Sequence, residues 1–273
     1  MSRRRGARTI EQIRGEIEVA LDRSDAERAL ALAREGLALR PDAEGWYLLG
    51  VALEANVELE SAVAALEEAV KLDPSHADAH VALAEMASNA LDFDAATEHV
   101  LDALRADPGH PDALHLRACL RERRGDHDGA ARDFAAAALI DPDRFPVPPA
   151  LDDDTIEAVT EEVLRSLHPS LRAYLANVPI IVDEQPSDEV LLDLPGAHPF
   201  ELLGCFSGRA LAESPGHDPW SVLPPTICLY RQNLQRFAHD REELVAELRV
   251  TLLHEIGHYL GLDEDDLEER GLE

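Results

Sequence analysis

Leu244, Leu248, Leu252 and Ile256 recur at every fourth position, a spacing that stacks them on one face of a helix. Asp240 is suited to cap that helix, which is expected to run from Arg241 to about Leu260. Ile156, Val159, Val163, Leu164 and Leu167 follow the same rule. They predict an amphipathic helix that opens at Asp154, with Glu157 three residues on, and stops before Pro169. Between these helices the pattern shortens into apolar, β-branched runs bounded by turn residues. VPIIVDE from Val178, ELLGCFSG from Glu201 and PTICLYRQNL from Pro225 predict three strands. SPGHDPWSVLPP, from Ser214 to Pro225, is turn-rich and is expected to form a surface loop.

The first half carries a repeat instead. RPDAEGWYLLG from Arg40, DPSHADAHVALA from Asp73, DPGHPDALHLRA from Asp107 and DPDRF from Asp141 place Pro41, Pro74, Pro108 and Pro142 at intervals of 33, 34 and 34 residues. In each unit a small residue recurs in the first helix (Gly50, Ala84, Ala118). A second opens the next helix (Ala62, Ala96, Ala130), and a third lies near its end (Ala69, Ala103, Ala137). Small residues let paired helices approach closely, and proline ends each pair because it lacks an N–H and clashes with the preceding turn. Each unit is therefore expected to be a helix–turn–helix hairpin, and Ala29, Gly36 and Pro41 extend the array back to about Thr9.

This half resembles the tetratricopeptide repeat, in period and in small-residue pattern, over about three and a half to four repeats. The resemblance implies an α solenoid over residues 9–142 with a concave groove that binds a peptide or protein partner. Its lining would include Tyr47, Val51, Glu54, Val81, Glu85, Asn89, His115, Cys119 and Arg123. The Lys, Arg and Asn set with which some family members hold a C-terminal carboxylate is absent, and the acidic lining points to a basic or apolar ligand. The alternative is that the array packs against its neighbour or self-associates.

Composition narrows the function classes. Twenty-five basic against 55 acidic side chains leave a formal net charge of −30, which disfavours nucleic acid and anionic membrane, since phosphate binding rests on basic residues. Arg3, Arg4, Arg5 and Arg8 are the exception and read as a solvated, frayed terminus. Cys119, Cys205 and Cys228 form no C-x-x-C, so buried thiols in a reducing compartment are expected. With no signal-peptide core and no stretch of about 20 apolar residues, a cytoplasmic location is expected. The prolines Pro146, Pro148 and Pro149 cannot continue a solenoid, so a domain boundary is expected near residue 145.

The chemistry lies in LLHEIGHYLG, Leu252 to Gly261. His254 and His258 are four residues apart, so both imidazoles project from one helix face and can hold one Zn2+. Glu255 is the residue that, in H-E-x-x-H, takes a proton from water at the metal. Gly261 can end the helix through a positive φ and return the chain toward the metal. Asp263, Glu264, Asp265 and Asp266 follow, any of which could supply an oxygen. By spacing the third ligand is Glu264, ten residues after His254, with Asp263 as competitor. For most of that acidic run a solvated terminus or helix cap is the simpler reading.

Residues 143–273 resemble the bacterial minimal zincin-like metallopeptidases. The carriers are the leading helix, VPIIVDE, the Gly204 to Gly208 stretch, the LPxxIxLYRxxL pattern of Leu223 to Leu234, and HEIGHxxGL followed by an acidic residue. The resemblance implies a small α+β domain with one Zn2+ and peptidase activity. The family tends to place Asp where this chain has Glu264, and no methionine follows the motif, so this is not a standard metzincin. Tyr230 and Arg231 read as ordinary strand residues, with a cleft-lining or oxyanion-stabilising role as the alternative. Tyr259 reads as packing, His168, His198, His217 and His239 as surface residues, and Cys205 and Cys228 as core. The expectation is a zinc metallopeptidase with Glu255 as general base, whose repeat array recruits substrate or partner. The alternative is a repeat-based scaffold whose zincin domain binds metal without peptidase activity.

Overall fold

The computed structural model of the chain describes residues 8–208, 224–263 and 266–267. The chain divides into two compact units, Met1–Asp141 and Pro142–Glu273.

The first unit is built of four helix hairpins: α1 (Ile10–Asp22) with α2 (Ala26–Leu39), α3 (Ala43–Ala55) with α4 (Leu59–Leu72), α5 (Ala77–Asn89) with α6 (Phe93–Ala106), and α7 (Pro111–Arg123) with α8 (His127–Ile140). The recurrent small residues are the reason the partners pack closely. Ala62, Ala69, Ala84, Ala96, Ala103, Ala118 and Ala137 are completely buried, and a Cβ on Gly50 would lie 2.6 Å from Leu66 Cγ. Each second helix stops one residue before an X-Pro step, where the residue preceding proline is pushed out of the helical region.

The turn inside each hairpin repeats as well. Ser24, Val57, Leu91 and Gly125 occupy equivalent places, all with φ between 55° and 78°. Only the last has the residue that adopts this conformation without a Cβ clash. Arg8 is not frayed, since its guanidinium bonds Glu16 at 2.7 Å and also meets Glu35. Arg3, Arg4 and Arg5 lie outside the described residues.

The second unit begins with an irregular stretch through Leu151 and continues as α9 (Asp153–Ser166), α10 (Pro169–Leu175), β1 (Ile180–Asp183), α11 (Asp188–Asp193), β2 (Gly204–Ser207), β3 (Thr226–Tyr230), α12 (Arg231–Phe237) and α13 (Arg241–Leu260). The sheet order is β1-β3-β2, with β1 parallel and β2 antiparallel to β3. One core joins Ile156, Val159 and Val163 of α9 to Ile227 and Leu229 of β3 and to Leu244, Leu248, Leu252 and Ile256 of α13. The every-fourth-residue stripe of α13 is therefore its buried side, with three of its four members fully inaccessible.

Three local expectations change. α9 opens two residues early because Asp152, not Asp154, accepts from Thr155 N at 2.8 Å. The third apolar run is a strand only to Tyr230, and Arg231 begins α12, so Arg231 is not a strand residue. Pro169, expected only as a stop, is also the first residue of α10, where its missing N–H costs nothing. Among the described residues no helix is long and apolar enough to cross a membrane.

Candidate metal centre

α13 is held at both ends by its own sequence. Asp240 Oδ1 accepts from Glu242 N and Glu243 N at 2.8 and 2.9 Å. At the other end Gly261 has φ +89°, a left-handed closure that the glycine adopts without strain. Leu262 N then donates back to Gly257 O at 3.1 Å.

The last two turns carry the chemistry. His254 Nε2 and His258 Nε2 are 2.9 Å apart, with ring planes at 83°. Both rings are half-buried. The Gly261 turn brings the Leu262 carbonyl to 3.3 Å from His258 Nδ1. A carbonyl accepts only from a protonated nitrogen, so this contact fits the tautomer with its hydrogen on Nδ1, the one that leaves Nε2, on the His254 side, as the metal-binding nitrogen. This outer hydrogen bond is the kind that orients a metal-binding imidazole. Two imidazole nitrogens directed at one point form a donor set suited to Zn2+.

Glu255 is 5% exposed, on the side of α13 that faces the sheet. Its Cγ lies 3.3 Å from where a Gly204 Cβ would stand, and Thr251 Cγ2 and Cys228 O lie 2.9 Å from the same point. Any side chain at Gly204 would press on the carboxylate's stem, so the glycine lets edge strand β2 lie directly against Glu255.

The segment after the helix is pinned too. Leu267 is fully buried, and its Cδ2 would be 2.4 Å from a Cβ on Gly257. Asp263 turns that segment: its carbonyl accepts from Leu267 N at 3.0 Å and its Oδ1 from Asp266 N at 2.9 Å. Asp263 is thus used as a cap, and it is exposed. Glu264, the expected third ligand, and Asp265 lie outside the described residues. Among the described residues no group of three or more metal-ligating side chains converges.

Residues 175–272 match the family described as zincin-like metallopeptidase, and residues 15–77, 58–88 and 81–146 match the tetratricopeptide repeat. The chain joins a tetratricopeptide repeat array to a zincin-like metallopeptidase domain. Similar solved structures include MamA (24% identity, TM-score 0.42, 49% of this chain and 79% of that one). They include TTC0263, a thermophilic TPR protein of Thermus thermophilus (21%, 0.45, 50% and 76%). YrrB, a TPR protein with an unusual peptide-binding site, is a third (21%, 0.39, 50% and 70%). No curated protein matches the chain.

Around the zincin-like site, several side chains have jobs that sequence reasoning missed. Asn233, 1% exposed, donates to Pro199 O and Leu202 O at 3.2 and 2.7 Å. With Tyr230 N donating to Leu203 O at 2.8 Å, it sets the start of β2 and so Gly204. Arg231 does not reach into a cleft. It bonds Leu151 O and Asp153 at 2.5 Å and Glu184 at 3.2 Å, tying the junction, α9 and β1 together. Tyr230 is 1% exposed with its hydroxyl 3.1 Å from Cys205 Sγ. Tyr259 packs against Phe206 at 5.8 Å between ring centroids. His168 and His198 accept from Ser170 N and Phe200 N and so cap local turns. His217 and most of the Ser214 to Pro225 segment lie outside the described residues.

In the repeat array, Val81 and Cys119 belong to the core, at 6% and 2% exposure, rather than to a lining. Tyr47, Val51, Glu54, His115 and Arg123 are half-buried, and Glu85 and Asn89 are exposed. Burial and then the carboxylates of Asp78, Glu44, Glu85 and Asp112 push the Tyr47 hydroxyl well above its ordinary pKa. Burial likewise raises the Glu54 carboxyl.

Proposed function

We propose that the chain is a zinc-dependent peptidase that hydrolyses peptide bonds with Glu255 as general base, and that its repeat array recruits a protein substrate or partner. The observation that carries this reading is the convergence of His254 and His258 Nε2 at 2.9 Å, with His258 oriented through Leu262 and Glu255 on the same turn. His254 and His258 would hold the ion. Glu264 is the third ligand in this reading, which is favoured by the use of Asp263 Oδ1 as a cap.

Held by these residues, zinc would supply Lewis acidity of the kind that lowers the pKa of water to about 7 and polarises a carbonyl. Glu255 accepts the proton of the attacking water and delivers it to the departing amine. A carboxylate does this well in a buried setting, where few waters compete for the proton, and β2 lies close enough to shield it. The acidic surroundings of Tyr47 favour a partner with basic or apolar side chains. Cytoplasmic residence is part of the proposal.

The test is zinc content of the purified full chain together with hydrolysis of a broad peptide library. One zinc per chain is expected in wild type and Glu255→Gln, with cleavage only by wild type. His254→Ala should lose the metal. Metal at full stoichiometry without cleavage by either form would leave a metal-binding scaffold, and absence of zinc after metal-replete purification would remove the site itself.

A further inference from the structure

The sheet carries a second pair of reactive side chains on the face away from α13. Cys205 and Cys228 stand directly opposite each other across the β2–β3 ladder, so both side chains project from the same face. Gly204 and Leu229, the neighbouring pair, occupy the face toward α13. The hydrogen bond from Tyr230 N to Leu203 O, two positions along, makes Cys205 and Cys228 a hydrogen-bonded pair in the alternation. Cα atoms at such positions are about 5.5 Å apart, inside the roughly 4.4–6.8 Å that a disulfide spans. Both thiols are free.

The environment also selects the attacking sulfur. The adjacent Cys228 side chain pulls the Cys205 thiol down to about 7 against the opposing effect of burial. Tyr230 OH lies 3.1 Å from the Cys205 sulfur. Cys228 itself is pushed up by the Cys205 side chain and by burial. Cys205 is 8% exposed, whereas Cys228 is half-buried and its neighbour on β1, Ile181, is 43% exposed, so the open approach to the pair is past Cys228.

We propose that Cys205 and Cys228 are a reversible dithiol–disulfide modification site whose oxidant is a peroxide. The Cys205 sulfur attacks the O–O bond of hydrogen peroxide, becoming a sulfenic acid and releasing one water. The Cys228 thiol then displaces the sulfenic oxygen as a second water, and the S–S bond forms, so two thiols are oxidised and one peroxide is reduced. An external dithiol reverses it. The pair lies off the His254–His258 face, so this chemistry does not depend on the metal centre.

The experiment treats the reduced full-length chain with a small excess of hydrogen peroxide and counts alkylatable thiols after denaturation. They should fall from the three of the sequence to one, return with dithiothreitol, and yield a Cys205–Cys228 cross-linked peptide lighter by two hydrogens. Cys228→Ser should stop at a dimedone-reactive sulfenic acid on Cys205. Cys119→Ser, which leaves the sheet untouched, should lose every alkylatable thiol and so carries the test if the strand variant does not fold. Retention of all thiols, sulfinic or sulfonic acids in place of a cross-link, or a cross-link through Cys119 would overturn the proposal.

Discussion

Leu267 fills the space that a side chain at Gly257 would need: its Cδ2 stands 2.4 Å from the position of a Cβ there. Gly257 lies between His254 and His258, so the chain beyond the helix packs against the same turns that carry both imidazoles. Gly257→Ala gains about 1 kcal/mol of helix propensity but must displace a fully buried leucine, at a typical cost of about 1–3 kcal/mol. The expected outcome is a small change in global stability and at least about a tenfold loss of zinc affinity, the scale of a disturbed outer shell. Competition with a chromogenic chelator measures it, and unchanged affinity would show that Leu267 has no part in holding the metal side of the domain.

Val57 is 79% exposed and has φ +61°, in the left-handed region where a β-branched side chain is strained. The equivalent turn at Gly125 has φ +78° and no such strain. Val57→Gly is expected to stabilise the repeat array by about 1 kcal/mol, because little burial is lost and the strain costs about 1–2 kcal/mol. Gly125→Val should destabilise it comparably. Urea unfolding midpoints followed by circular dichroism decide the matter, and equal midpoints for wild type and Val57→Gly would contradict it.

Asp78 and His110 pair across consecutive hairpins at 3.1 Å. The hydrogen bond to His110 holds the Asp78 carboxyl below 3.8 despite partial burial, and the same bond raises His110 above 6.5 against its own burial. The carboxylate's contribution is present above its unfolded pKa and is lost as pH falls through the lowered folded one. The imidazolium's contribution is present below its unfolded pKa and is lost as pH rises through the raised folded one. The pair therefore supports the array most between about pH 4 and 6.5 and less at pH 8. The long contact from Ala113 N to His110 Nδ1, 3.4 Å, opposes protonation only weakly. His110→Gln should flatten this part of the unfolding midpoint's pH profile between pH 6 and 8, and an unchanged profile would assign the effect elsewhere.

Asn233 is buried and donates to two carbonyls of the segment entering β2. Asn233→Ala leaves Pro199 O and Leu202 O without that donor, at a cost of about 1–3 kcal/mol. Because β2 lies on Glu255 through Gly204, hydrogen exchange at residues 203–207 should accelerate by more than exchange within α13. Uniform acceleration across the unit would mean that Asn233 serves general stability only.

The repeat array was legible in the sequence because its information is local and periodic. Ala62, Ala96 and Ala130 are small for the same contact, and the X-Pro steps at Pro74, Pro108 and Pro142 each follow the end of a second helix. The last helix was equally legible, from the Asp240 cap to the Gly261 stop, since a four-residue spacing by itself puts His254 and His258 on one face. The short helices α10 and α11 were not, because six or seven residues hold too few turns for a period to emerge.

What the linear sequence could not contain is the set of contacts made through space. Nothing in the spacing of Gly204 and Glu255 announces that one must lack a side chain for the other to be covered. Nor does it show that Cys205 and Cys228 fall opposite each other. Strand register and the packing of β2 on α13 decide those contacts, and both arise only when the core of α9, the sheet and α13 assembles. Residue type and period thus determined which groups this protein has for chemistry, while tertiary packing decided which of them meet.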